Sequence, residues 1–500
     1  MIPENWAETT LEKVATWGSG GTPSRRTPEY FQGEIPWVKT GELVSKYIFD
    51  TEEKITEKAI ANSSAKIFPT GSIGIAMYGA TIGKLSIWGM DASTNQACAV
   101  GLPIQELLDK EFLYYYLASQ KGKLIKAGKG GAQPNISQGI LKSWPIFLPP
   151  LNEQRRIVAK IERLFGELDA GVASLELAQA QLKTYRQALL KHAFEGKLTA
   201  QWRKENGDKL ETADTLLQRI QVERQARQEE KMAAWQAQVK TWEANGKPSK
   251  KPRKPRPLKT LPPLTPQERA DLPELPAGWA WIRLGNVINE PNYGTSKKCD
   301  YETSGIGVLR IPNVVSGTIV AQDLKFAEFD DDEIEKYRLA KGDLLIIRSN
   351  GSISIVGQCA LVTKPEEKYL YAGYLIRLRP HLDSIDSAFL LNNLTRHASR
   401  QQIEAKAKST SGVNNINSGE IQSLIISVCN LNEQKVIRGK LDAKLSIVDQ
   451  LEQTITTTLQ QAKALRQSIL KKAFAGQLVP QDPTDEPASV LLARIRATKP

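Results

Sequence analysis

Leu151-Asn152-Glu153-Gln154 opens a stretch that closes Arg186-Gln187-Ala188-Leu189-Leu190-Lys191-His192-Ala193-Phe194-Glu195-Gly196-Lys197-Leu198. The pattern returns, opening Leu431-Asn432-Glu433-Gln434 and closing Arg466-Gln467-Ser468-Ile469-Leu470-Lys471-Lys472-Ala473-Phe474-Ala475-Gly476-Gln477-Leu478. Both ends give one offset, 432 − 152 and 474 − 194 each being 280. Equal spacing from start to finish predicts two long elements of the same length with no insertion in either. In the first copy Ile157, Ile161, Leu164, Leu168, Gly171, Leu175, Ala178, Leu182, Tyr185 and Leu189 step by four and three, a heptad seam. The second keeps Ile437, Leu441, Val448, Leu451, Ile455, Leu465 and Ile469 on that seam, with Lys444 and Thr458 interrupting it. Asn152 suits an N-cap and Gly196 a left-handed stop, so each copy reads as one helix of roughly 64 Å. A narrow seam of that length needs a partner helix, and the other copy is the obvious one; a helix lying on its own domain would want a broader apolar face.

The repeat extends outward. Trp6, Leu11, Val14, Gly21 and Thr22 align with Trp279, Leu284, Val287, Gly294 and Thr295 at an offset of 273 (279 − 6). Asn135-Ile136 aligns with Asn415-Ile416, and Glu211, Ala213, Leu216, Leu217, Arg219 and Ile220 with Glu486, Ala488, Leu491, Leu492, Arg494 and Ile495. The chain therefore reads as globular domain, long helix and short tail, twice over. The expected segments are 1–150, 151–200, 201–274, 275–430, 431–480 and 481–500. Within the globular parts Ile35–Val38, Gly71–Tyr78 and Gly342–Ile347 read as strands, and Glu111–Ser119 and Phe389–Arg396 as helices. The fold class is α+β, each domain built on a twisted, mostly antiparallel sheet. Two copies related by a pseudo-two-fold axis pair antiparallel as an intramolecular coiled coil. Each tail then returns toward the other half's domain.

At 500 residues, 41% apolar and 24% charged, the chain has the composition of a multidomain globular protein. Its start lacks a signal-peptide pattern, and no apolar run is long enough for a bilayer. Cys98, Cys299, Cys359 and Cys429 are scattered, which suggests neither a disulfide framework nor a zinc site. A reduced, cytoplasmic protein fits. Of the net charge of +12, Lys247–Lys259 alone supplies seven positive charges in a Pro-rich, extended linker. That run suits either a solvated spacer or a non-specific contact with a polyanion. Between the halves, Ala213–Ala244 reads as a helix. Its Leu216, Leu217 and Ile220 make an apolar patch, and Trp235 and Trp242 share a face, for docking a partner or packing on the coiled coil.

No catalytic constellation is visible. Gly79-Ala80-Thr81-Ile82-Gly83-Lys84-Leu85 falls one residue short of a phosphate-binding loop and lacks its hydroxyl. No Asn/Asp-Pro-Pro-aromatic tetrapeptide of an amino-methyltransferase occurs. His192, His381 and His397 have no nucleophile or metal spacing. The pattern excludes the common enzyme classes and favours binding.

Three loops of the first domain, Ser19–Arg26, Tyr78–Lys84 and Lys126–Asn135, combine cations, amides and glycine. Tyr293–Lys298, Arg348–Gln358 and Lys406–Asn417 are their counterparts. Lys and Arg clasp phosphates or guanine edges, Asn and Gln pair with adenine, and glycine permits close approach. One such loop fits an ordinary surface turn; six in equivalent places point to DNA. The candidate contacts are Ser24, Arg25, Arg26, Lys39, Lys84, Lys129, Gln133 and Asn135 in the first domain. In the second they are Lys297, Lys298, Arg310, Arg348, Asn350, Ser352, Lys408, Asn414 and Asn415. Candidate partner-binding residues are Leu216, Leu217, Ile220, Leu491, Leu492 and Ile495.

Pro149-Pro150-Leu151-Asn152-Glu153-Gln154-Arg155-Arg156-Ile157, the duplicated helix and the paired, diverged domains resemble the specificity subunit of type I restriction-modification enzymes, over nearly the whole chain. Gly20-Gly21-Thr22-Pro23-Ser24 and Gln133-Pro134-Asn135-Ile136-Ser137 resemble stretches of that family's target recognition domains. The second half departs, with Val428-Cys429-Asn430 in place of Leu148-Pro149-Pro150 and no proline after Gly294-Thr295-Ser296. The resemblance implies that each globular domain reads half of a split DNA target while the helices hold the domains apart. It also implies two adenine methyltransferase (modification) subunits docked on the helices, and translocase/endonuclease (restriction) subunits beyond them. S-adenosylmethionine, ATP and Mg would belong to those partners, with no cofactor in this chain. The alternative is a coiled-coil DNA-bridging or regulatory protein working without a methyltransferase; an enzyme with an unrecognised site is a third class.

Overall fold

A computed structural model describes residues 2–128, 135–207, 210–247, 251–257, 261–410 and 412–498. The chain forms two compact units, Met1–Ala178 with Thr454–Pro500, and Gln179–Gln453. Each contains one globular domain, the first part of that domain's own long helix, the last part of the other long helix, and the other half's tail. No helix among the described residues is long and apolar enough to cross a membrane.

The main helices are α1 (Lys110–Ala127), α2 (Leu151–Phe194), α3 (Ala213–Ala244), α4 (Ser387–Thr395), α5 (Leu431–Ala473) and α6 (Ala488–Thr498). Strands of the first unit are β1 (Ala7–Thr10), β2 (Ala15–Ser19), β3 (Ile35–Val38), β4 (Ile73–Ala76), β5 (Leu85–Trp88), β6 (Ser93–Thr94), β7 (Cys98–Pro103) and β8 (Pro145–Leu148). Their counterparts are β9 (Ala280–Arg283), β10 (Asn292–Tyr293), β11 (Ile306–Leu309), β12 (Leu344–Ile347), β13 (Cys359–Leu361), β14 (Leu370–Tyr371), β15 (Leu375–Leu378) and β16 (Ile425–Val428).

The strands named above pair alike in both units. β1 lies antiparallel to β8 as β9 does to β16, with Ala7 opposite Leu148 and Ala280 opposite Val428. The main sheet runs β2-β7-β4-β5 in the first unit, with Tyr47–Ile48 added as a fifth strand beside β5, and β10-β15-β12-β13 in the second. The sheets are mostly antiparallel, but β3 pairs parallel with β6, β11 with β14 and Tyr47–Ile48 with β5. The helix read at Glu111–Ser119 is longer, running on to Ala127, because Leu124 is buried in the same core.

The repeated Asn-Glu-Gln has a physical reason. Gln154 is fully buried; its amide donates to the carbonyls of Leu107 (2.9 Å) and Pro149 (3.0 Å) and accepts from the Asp109 N–H (2.9 Å). Gln434 repeats this with Ser384 (3.0 Å), Cys429 (2.8 Å) and Asp386 (2.8 Å). Asp109 and Asp386 are the N-caps of α1 and α4. One glutamine thus joins the start of the long helix to the start of the domain's own helix. Gly196 (φ 74°) and Gly476 (φ 70°) end the long helices in the left-handed region.

The two long helices run antiparallel within each unit. In the first, Ile157 and Ile161 share a core with Ile469, Leu470 and Ala473. In the second, Leu189, Leu190 and Ala193 share one with Ile437 and Leu441. The seam buries Val448 and Ile455 as read but departs from the hydrophobic reading at other positions. Leu451 and Leu465 are 46% and 51% exposed, and Tyr185 is 46% exposed. The inner face instead carries Glu452 and Arg466. Arg186 pairs with Asp449 and Glu452, and Arg466 pairs with Asp169 at 2.9 Å while lying 4.3 Å from the Phe165 ring centroid. With a single partner helix, seam positions such as Leu164, Leu168, Leu175 and Leu182 are only half-buried, and long charged side chains can bridge them.

The tails pack as expected on the other half's domain. Leu216 and Ile220 enter the core of the second unit, and Ala488, Leu491 and Leu492 that of the first. The repeated Glu and Arg eight residues apart form ion pairs, Glu211 with Arg219 (2.7 Å) and Glu486 with Arg494.

Candidate nucleic-acid interface

The loops of the first domain converge on the end of β4 and β7. Gly20 donates to Cys98 O (3.3 Å), Gly21 to Thr94 O (2.9 Å), Met77 to Ala97 O (2.8 Å) and Ile136 to Met77 O (2.8 Å). The second domain repeats all four bonds. Gly294 donates to Leu375 O (3.2 Å), Thr295 to Tyr371 O (2.9 Å), Arg348 to Tyr374 O (2.9 Å) and Ile416 to Arg348 O (2.9 Å). A Cβ on Gly20 would meet Thr94 O at 2.1 Å, and one on Gly294 would meet Tyr371 O at 2.3 Å, so only glycine allows this approach. Gly20 therefore corresponds to Gly294, one place off the pairing of Gly21 with Gly294 read from the sequence.

The side chains on this shared frame differ. In the first domain Arg25 lies 4.1 Å from the Phe31 ring centroid and pairs with Glu53 at 2.6 Å. Lys39 pairs with Glu52 (2.8 Å) and Glu53 (3.1 Å), and these carboxylates raise its pKa. Arg25 foremost holds the Glu53 carboxyl below its ordinary value. Ser24 and Arg26 are exposed, with Ser24 Oγ accepting the Arg26 N–H at 3.3 Å. Lys84 is half-buried beside β5, and Asn135 is exposed, its backbone packed on Gly128. Lys129 and Gln133 lie outside the described residues.

In the second domain Lys297, Arg310 and Arg348 line one cleft of about 680 Å³. Lys325, Tyr293 and Tyr374 also line it. Arg348 lies 4.8 Å from the Tyr293 ring centroid, and its Nε is buried without a hydrogen-bond partner among the described residues. Arg310 pairs with Asp323 at 3.1 Å, and Lys297 with Glu333 at 2.7 Å. Lys298 is exposed just outside the cleft.

Beyond Arg348 a three-stranded ribbon, Ser349–Asn350, Val413–Asn415 and Lys408–Thr410, collects the remaining candidates. Asn350 lies opposite Asn414 and Lys408 opposite Asn415. Asn414 Nδ2 donates to Gly351 O at 3.0 Å, Asn415 Nδ2 to Val413 O at 3.3 Å, and Ser352 Oγ meets Ser354 Oγ at 2.9 Å. Sequence reasoning missed Lys325 and Tyr374. Tyr374 is 62% exposed and sits in Tyr371-Ala372-Gly373-Tyr374, whose glycine and paired aromatics were the available signal. The cleft offers cations for phosphates or guanine edges and rings for stacking.

The family model for the type I restriction modification DNA specificity domain matches residues 3–174 and again 276–461. The chain belongs to that family. The specificity subunit of the type I restriction enzyme EcoKI, from Escherichia coli K12, is 24% identical over the whole chain and 96% of its own length. That of EcoR124I/EcoR124II, from Escherichia coli, is 31% identical over 36% of this chain and 47% of its own length. The HsdS subunit from Thermoanaerobacter tengcongensis shares the fold at a TM-score of 0.51 and 19% identity, covering 95% of this chain and 98% of its own. A chain from a solved type I R-M system shares it at 0.66 and 20%, covering 95% and 99%. In this family the matched segments are the DNA-specificity domains, so the shared loop frame and the cleft described above lie in the parts that define it. The bridging alternative has no comparable support.

The patches assigned to partners in this specificity chain lie mostly inside. Leu216 and Ile220 are buried in the second unit's core and Leu491 and Leu492 in the first's, where they fasten the tails. Leu217 is 37% exposed, and the Ile495 side chain lies outside the described residues. Nor does α3 leave Trp235 on a free docking face. Trp235 Nε1 donates to Pro252 O (2.9 Å), so part of the basic linker lies along the helix.

Proposed function

We propose that this chain is the sequence-reading, non-catalytic subunit of a cytoplasmic type I restriction-modification complex. Each globular domain reads one half of a bipartite double-stranded DNA target, and α2 and α5 fix the spacer between the halves. Two methyltransferase subunits dock on the helical regions, and translocase/endonuclease subunits complete the assembly. S-adenosylmethionine, ATP and Mg serve those partners. The observation that carries this reading is one backbone frame, Gly20 with Met77 and Gly294 with Arg348, bearing different side chains in the two domains. A constant frame with variable readers suits two half-sites of different sequence.

Exchanging residues 1–150 for those of a relative, with the methyltransferase present, should change one half of the methylated motif and leave the other half intact. A change in both halves would overturn the one-domain, one-half-site reading. The purified chain alone should transfer no methyl group and hydrolyse no ATP, and it should co-purify with a methyltransferase. Methyl transfer by the chain alone would refute its assignment as non-catalytic.

A further inference from the structure

The second unit holds a basic cavity of about 590 Å³ distinct from the cleft at Arg348. One wall is α3, through Arg224, Arg227 and Lys231; the other is the linker, through Arg253, Lys254 and Arg256. Linker carbonyls tie this wall down, Pro252 O accepting from Trp235 Nε1 at 2.9 Å and Arg256 O from Gln228 Nε2 at 2.8 Å. Arg253 and Arg256 are three residues apart in a Pro-rich run, the spacing that puts side chains on one face of a polyproline helix. Both walls lie between the two segments that the family model matches.

Positive charge is crowded here. Glu290 is the one carboxylate among the described lining residues, and it pairs with Arg256 at 2.5 Å. Arg227 pairs with Asp383, and Lys231 donates to Asn289 Oδ1 at 3.0 Å. Lys231 stands at the solvent-facing mouth, yet partial desolvation, then Arg227 and Arg379, lower its pKa. Burial, then Arg227, Lys231 and Arg224, pushes buried His381 down to about 4, which leaves it neutral. An anion entering the cavity would relieve this repulsion. None of the described lining residues is Trp, Tyr or Phe, so the cavity suits a phosphate better than a stacked base or an apolar protein anchor.

Its position selects the source of that phosphate. Asn289 and Glu290 precede edge strand β10, and His381 follows its partner β15. Tyr293 and Tyr374, at the other end of the same ladder, line the reading cleft. From Tyr374 to His381 the chain covers roughly 23 Å at about 3.3 Å per residue. That is close to seven base-pair steps of about 3.4 Å.

We infer that the cavity between α3, the linker and β10 grips the DNA phosphate backbone beyond the bases read by the second domain. This rests on the proposed DNA-reading function and adds a contact that holds the duplex without reading it.

The test uses the assembled complex with its methyltransferase. The variant Lys231→Gln/Arg253→Gln/Lys254→Gln is compared with the parent on two target duplexes. One continues past the second half-site and the other ends at its edge. On the long duplex the variant should bind about tenfold more weakly, and its log–log salt dependence should be shallower by about 2–3, near 0.9 for each phosphate no longer neutralised. On the short duplex the two proteins should bind alike, and the methylated motif should be unchanged. Equal binding to the long duplex, equal loss on both duplexes, or loss of methyltransferase assembly instead of DNA affinity would each overturn the inference. A parent complex with no sequence preference would overturn the proposed function itself.

Discussion

Arg348 occupies in the second domain the backbone position that Met77 occupies in the first. Each N–H is bound by the carbonyl that closes the turn before β15 or β7, and each carbonyl by the isoleucine of an Asn-Ile pair. Met77 is buried, whereas Arg348 lies beside Tyr293 at the cleft. Arg348→Met should therefore relax one base position in the second half of the target and leave the first half alone. Removing a bidentate guanine pairing costs about 1–3 kcal/mol of discrimination. Motif mapping of the methylated genome measures it; an equal loss for every sequence would assign Arg348 to phosphate.

Gln434→Leu should destabilise the second unit by about 3–6 kcal/mol, because two carbonyls and one N–H lose their partner inside the core. Gln154→Leu should do the same to the first. Calorimetry of the two variants would show a different part of the unfolding profile moving to lower temperature in each. A loss below about 1 kcal/mol would mean that these groups find other partners.

Glu153 and Glu433 share a repeat position but not an environment. Glu433 pairs with Arg203, and both are largely buried. Glu153 accepts from Trp6 Nε1 (3.1 Å) and Gln481 Nε2 (2.7 Å), and its neighbour Arg156 pairs with Asp485 instead. Glu433→Gln should cost on the order of 3 kcal/mol by leaving a buried guanidinium unpaired. Burial raises the Glu153 pKa, so the folded chain binds that proton more tightly than the unfolded chain does. Its charged form is the costly one at neutral pH, and that cost fades as pH falls through the raised value. Glu153→Gln should accordingly shift stability by less than about 1 kcal/mol at neutral pH. Thermal melts at two pH values decide between these outcomes.

Four residues added at both Ala178 and Thr458 should keep the helices paired and lengthen each by about 6 Å. The preferred spacer should grow by about one or two base pairs with both half-sites unchanged. Four residues added to one helix alone put a stutter in the seam and should destabilise the protein. Motif mapping of the doubly lengthened protein measures the spacer; an unchanged spacer in an active complex would refute the ruler.

The sequence by itself determined the duplication, the two long helices, the antiparallel return of the tails and the absence of familiar catalytic motifs. These rest on periodicity and on repeated local patterns such as Asn-Glu-Gln, whose glutamine meets partners fixed by the same duplicated backbone. Tertiary structure decided which residues face what. Hydrophobicity favoured Leu451 and Leu465 for the seam, but Glu452 and Arg466 take the inner face because Arg186 and Asp169 stand across from them. The match of Met77 with Arg348 is hidden in the sequence because short strands take their register from long-range hydrogen bonds through loops of unequal length. The linker reads equally well as a spacer, since a Pro-rich chain carries no periodicity that names its neighbour; in the structure the Trp235 and Gln228 hydrogen bonds lay its residues 252–256 against α3.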